Sequence, residues 1–109
     1  MAELATIARP YAEALFKSSR SELGATQGWL DGLAAAAGNA QLLQFAANPK
    51  VNAGQVYEVV TSVLKAPLPE RGANFLRTVI DNDRLAALPE VARQYRQLAN
   101  AVGGSSDAV

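Results

Sequence analysis

The chain of 109 residues contains neither cysteine nor histidine. The first absence rules out disulfide staples and a thiol nucleophile, and the second removes the commonest general base and metal ligand. Neither sign of charge is in excess, with 10 basic and 10 acidic residues, and no two basic residues are adjacent. Nucleic-acid binding neutralises phosphates with clustered Lys and Arg, so that class is disfavoured, as is a polybasic membrane surface. No apolar run of about 20 residues is free of charge, so direct membrane insertion is not expected. The first residues also lack the basic-then-apolar pattern of a secretory signal. Gly103-Gly104 opens no helix that could cradle a phosphate. Ser18, Ser19 and Ser21 have no base to activate them. Asp81 and Asp83 share a turn without the twelve-residue loop that supplies calcium ligands at alternate positions. The inventory points to binding rather than catalysis, with no metal and no cofactor.

What is abundant is alanine, 22 residues, against only 6% aromatics. Alanine is the best helix former and makes thin side-chain layers, which predicts an all-α chain with closely approaching helices. The length suits one domain. A first helix is expected from Ala2 to about Arg20, with Gly24 as an end signal. The second runs from near Thr26 to Gly38-Asn39, and a short third from Ala40 to Ala47, where Asn48-Pro49 breaks the chain. Asn52 and Gln55 read as a capping box for the fourth. Its Val56, Val59, Val60 and Val63 are β-branched, yet 56, 60, 63 and 64 share a helical face and period-2 alternation is missing, which decides for helix. The fifth runs from about Pro69 to Asp81 with Phe75, Leu76, Val79 and Ile80 as its core arc. The sixth begins near Pro89 and ends about Val102. The prediction is a compact six-helix bundle over 1–102, followed by a flexible Gly/Ser-rich tail, 103–109, where a longer chain would leave its first domain.

The first helix is more apolar than one core requires. Leu4, Ala8, Tyr11 and Leu15 fall within about 60° of one another, and the flanking Ile7, Ala14, Ala5, Ala12 and Phe16 widen the arc to roughly 200°. Leu4, Ala8 and Leu15 are expected to face inward. The edge row Ile7, Tyr11 and Ala14 has the spacing with which one helix meets another in a groove. Tyr11 also carries a hydroxyl that needs water or a partner when packed, and Trp29, the only tryptophan, is a residue type that often anchors interfaces.

The run Ile7-Ala8-Arg9-Pro10-Tyr11-Ala12-Glu13-Ala14-Leu15-Phe16 resembles the amino-terminal signature of the delta-subunit family of bacterial F-type ATP synthase, whose mitochondrial counterpart is the oligomycin-sensitivity-conferring protein. Asn74-Phe75-Leu76-Arg77, Asp81 to Leu85 and Leu88-Pro89 resemble a second block of that family. The resemblance implies a peripheral-stalk, or stator, domain that binds the amino-terminal helix of an alpha subunit between its first and fifth helices. Carried over by position, the contributors are Ile7, Tyr11 and Ala14 from the first helix, with Asn74, Thr78 and the rim charge Arg71 from the fifth. Trp29 stands where the family has a tryptophan near this groove. The resemblance further implies a place on the cytoplasmic face of the bacterial inner membrane, within the ATP synthase complex. It implies contact with the b-subunit stalk only through a carboxy-terminal domain that this chain lacks. Two other readings stand beside it: a generic helical adaptor for another amphipathic helix, and an RNA-binding bundle of the antitermination type, which the neutral charge disfavours.

Overall fold

A computed structural model describes residues 2–64 and 67–107, with side chains over 4–64 and 67–102. Its six α-helices are α1 (Ala2–Ser18), α2 (Leu23–Ala37), α3 (Ala40–Ala47), α4 (Ala53–Ser62), α5 (Glu70–Asp81) and α6 (Leu88–Asp107). Single turns of 3-10 helix precede α2 (Arg20–Glu22) and α6 (Leu85–Ala87), and there is no strand among the described residues. The all-α expectation holds.

Local chemistry sets most of these boundaries. Asn39 caps α3, its Oδ1 accepting from the backbone N–H of Gln41 at 2.8 Å and of Leu42 at 3.1 Å. The capping box of α4 is present in both directions, Gln55 N–H to Asn52 Oδ1 at 2.8 Å and Asn52 N–H to Gln55 Oε1 at 3.0 Å. That reciprocal pair satisfies two of the donors a helix start leaves over. Two boundaries differ from expectation. Helix α2 starts at Leu23, so Gly24 lies in its first turn instead of ending α1. The chain has already turned at Ser19, whose side chain folds back onto Leu15, while Glu22 N–H bonds Ser19 O at 2.9 Å. Helix α6 continues past Val102 through the Gly-Gly-Ser-Ser run to Asp107, with no proline to stop it. The end of the expected tail, Ala108 and Val109, lies outside the described residues.

Helix α6 forms the middle of the bundle, with α1 and α2 each packed along it. Ala8 and Ala12 of α1 are fully buried there, so the small side chains bring the α1 backbone close to α6. Leu15 is buried as expected, but Leu4 is only half-buried, and the inward face centres on Ala8, Ala12, Leu15 and Ser19. Leu30 and Leu33 of α2, Leu76 and Val79 of α5, and Leu88 and Val91 of α6 complete the interior. Within it lies a polar chain. Ser19 Oγ donates to Leu15 O at 2.6 Å, which spends its only hydrogen, so Tyr95 O–H donates to Ser19 Oγ at 2.8 Å. Both residues are fully buried.

Polar side chains pin α6 from both sides. Arg96 reaches Asp31 of α2 at 2.6 Å, and Gln27 supports the same carboxylate. Gln94 Nε2 donates to Ala5 O of α1 at 2.8 Å and to Glu90 Oε2 at 3.0 Å. Glu90 also holds Arg93, and the hydrogen bonds from Arg93 and then Gln94 lower its carboxyl from 4.5 to about 2. A carboxylate with a depressed pKa stabilises the fold above its unfolded value and loses that contribution as pH falls through the folded one. Glu90 should therefore contribute fully above about pH 4.5 and be lost towards pH 2. Because the Arg93 side chain is 55% exposed, solvent screening limits the contribution to about 1 kcal/mol or less. Urea unfolding as a function of pH should show Glu90→Gln flattening the acid limb between those values. A limb as steep as that of the wild type would refute this assignment.

Candidate partner-binding groove

The amphipathic pattern of α5 buries Gly72, Leu76 and Val79 and leaves Arg71, Asn74, Arg77 and Thr78 exposed. Its carboxy-terminal end is closed by a Schellman arrangement. Arg84 N–H bonds Val79 O and Asp83 N–H bonds Ile80 O, each at 2.9 Å, with Asp83 at φ 57°. Asp83 is the only non-glycine residue of positive φ among those described, and short polar side chains tolerate that conformation better than most. The cap fixes Asn82 beside α1. From there Asn82 Nδ2 donates to Tyr11 Oη at 2.9 Å.

At the other end of α5, Arg71 pairs with Glu22 at 3.0 Å. Residue 82 thus meets 11 while 71 meets 22, so α5 runs antiparallel to α1. The two helices are joined by side chains rather than packed along their backbones. Between the ties stands an aromatic row. Phe75 meets Tyr11 nearly edge-on, with ring centroids 6.3 Å apart and planes at 86°, and meets the Trp29 ring at 5.9 Å. Such arrangements add about 0.5–1.5 kcal/mol beyond the area they bury. Trp29 lies against the first turn of α5 because Gly72 has no side chain: a Cβ there would come within 3.1 Å of the indole and 3.0 Å of Leu68.

The expected site residues divide accordingly. Tyr11, Trp29 and Arg71 are tied to the α1–α5 region by the contacts above, and all three rings of the row are half-buried. Ile7 is half-buried against the core, whereas Ala14, Asn74 and Thr78 are exposed on the two flanking helices. The Thr78 hydroxyl is already bonded to Asn74 O at 3.0 Å within its own helix, so it presents mainly its methyl group and a spare acceptor. Arg71 is likewise committed to Glu22. That pair is 41% and 60% exposed and therefore contributes little to stability. Phe75 and Ile80 of the expected core arc are half-buried and pack against the core rather than inside it. Phe75 is the centre of the aromatic row, whereas the sequence placed it only in the core arc, and neither Asn82 nor Glu22 was singled out as a site residue. The one available signal was the phenol of Tyr11, which implied a polar neighbour.

A cavity of about 830 Å3 lies elsewhere, against α2, lined by Gly28, Gly32, Ala35, Leu42, Leu64 and Leu68 among others; Trp29 is the one expected site residue on its wall. Among the described residues no three acidic side chains gather as metal ligands, and no helix is long and apolar enough to cross a membrane.

Residues 7–109 match the family described as ATP synthase delta (OSCP) subunit. The chain belongs to this family. It is 62% identical over 108 residues to the ATP synthase subunit delta of a Polaromonas species, covering 99% of this chain and 61% of that relative. It is also 62% identical to the subunit delta of Polaromonas naphthalenivorans, covering 100% of this chain and 63% of the relative. Against that of Paracidovorax citrulli it is 56% identical with the same coverage. The chain thus spans about three fifths of the length of the delta-family relatives it matches.

Proposed function

We propose that this chain is a non-catalytic stator domain of an F-type ATP synthase that binds the amino-terminal helix of an alpha subunit between α1 and α5. Ile7, Tyr11 and Ala14 form one wall, Arg71, Asn74 and Thr78 the other, with Trp29 and Phe75 beneath. The contact would hold the catalytic head against rotation during proton-driven ATP synthesis, at the cytoplasmic face of the inner membrane. Attachment to the b-subunit stalk would fall to the further length that the relatives possess. What supports this reading is the half-buried aromatic row between two antiparallel helices that are bridged by side chains. Such a surface offers apolar anchors without rearrangement of the core, and a stator contact under torque needs the slow off-rate that buried anchors supply.

Calorimetric titration of the chain with a synthetic alpha amino-terminal peptide tests the reading. Saturable one-to-one binding with a negative heat-capacity change, the mark of apolar burial, is the expected result. Absence of binding would overturn it.

A further inference from the structure

The hydrogen bond between Asn82 and Tyr11 has a direction, and that direction decides what the phenol can offer a ligand. The Asn82 amide nitrogen donates at 2.9 Å, so the Tyr11 oxygen accepts. The phenol hydrogen is then not needed for this bond and can be donated outward. Asn82 itself is held by the cap of α5, where its own N–H bonds Thr78 O at 3.1 Å and the next two N–H groups close the Schellman turn. The ring it steadies stands edge-on to Phe75, so the oxygen is fixed between α1 and the cap of α5.

We propose that Asn82 is a positioning residue: it orients Tyr11 as a hydrogen-bond donor, and the docked helix carries a side-chain acceptor, a carboxylate or carboxamide, opposite it. Backbone carbonyls within the docked helix are occupied by its own hydrogen bonds, which leaves a side chain as the acceptor. The inference rests on the groove reading above and adds the polarity of one contact within it.

The experiment uses the 109-residue chain and the alpha amino-terminal peptide, with affinity measured by calorimetry and the thermal midpoint by circular dichroism. Asn82→Asp keeps the side-chain shape but can only accept, so the Tyr11 hydrogen turns towards it and is withdrawn from the ligand. Binding should weaken about tenfold, equivalent to ~1.4 kcal/mol and the upper range of one net hydrogen bond. Tyr11→Phe removes the same hydrogen and should cost the same, and the double variant should be no weaker than either single one. Asn82→Ala frees the ring but keeps the donor, and about a threefold loss is expected. The thermal midpoints should stay close to that of the wild type, because Asn82 is exposed. On the peptide, one Asp, Glu, Asn or Gln changed to alanine should cost the same tenfold against the wild type and nothing against Tyr11→Phe.

Wild-type affinity in Asn82→Asp, additive losses in the double variant, or no peptide position that couples to Tyr11 would overturn the inference while leaving the groove reading standing. A wild-type chain that fails to bind the peptide overturns both.

Discussion

Tyr11→Ala should weaken binding of the alpha amino-terminal peptide by about 2–3 kcal/mol, some 30- to 150-fold, while the bundle stays folded. The asymmetry follows from where the ring sits. It is half-buried beside Phe75 and outside the fully buried core, so its removal takes little from folding. It takes from the groove an aromatic anchor, its edge contact and the hydroxyl that Asn82 holds. Ala14→Asp should act as strongly by another route. Ala14 is exposed in the free chain, and a carboxylate there costs folding no more than about 0.5 kcal/mol. Beneath a docked helix the same carboxylate would lose water without gaining a partner, at a cost of several kcal/mol. Circular dichroism and calorimetry on each variant separate the two effects. A folded Ala14→Asp variant with unchanged affinity would remove α1 from the interface.

For stability, the largest single polar effect is expected at Ser19. Ser19→Ala leaves the Tyr95 hydroxyl fully buried without its acceptor, and abandoning such a group costs about 1–3 kcal/mol. For a domain with roughly 5–15 kcal/mol in hand, that is a large fraction. Tyr95→Phe should cost less, about 1 kcal/mol, because Ser19 keeps its bond to Leu15 O and the ring keeps its 6.2 Å edge contact with Phe16. The double variant should then be about as stable as Tyr95→Phe alone, since no hydroxyl is stranded. Urea unfolding of the three variants gives the coupling directly. Additive losses would mean that the two hydroxyls do not depend on each other.

Much of this architecture was legible because it follows local rules. Helix α4 could be told from a strand by its spacing, and its capping box by two residues, but of the expected face only Val56 and Val60 are buried: the helix ends at Ser62 and Val63 is 57% exposed. The start of α2 was missed because the turn is made by Ser19, whose role depends on Tyr95, 76 residues away; local sequence made Gly24 the stronger punctuation. The inward face of the wide apolar arc of α1 centres on Ala12 rather than Leu4, since alanines permit an approach to α6 that a wheel cannot weigh. Phe75 was assigned to the core by its spacing with Leu76 and Val79. Only the fold shows that one step around the helix sets it between Tyr11 and Trp29. Asn82 lies in the turn that Asp81 and Asp83 share, and that turn is what directs its amide across to α1.

The placement of α6 also bears on how the protein comes into being. The helix that supports both α1 and α2 follows them late in the sequence, and the bond from Ser19 to Tyr95 closes over 76 residues. Contacts of such sequence separation carry the loop-closure cost before any return, which slows folding. During synthesis from the amino terminus, α1 therefore emerges with Ala8, Ala12 and Leu15 uncovered and must wait for α6. The surface proposed to grip the alpha subunit acquires its backing only when α6 arrives, so docking before that would meet a wall with nothing behind it.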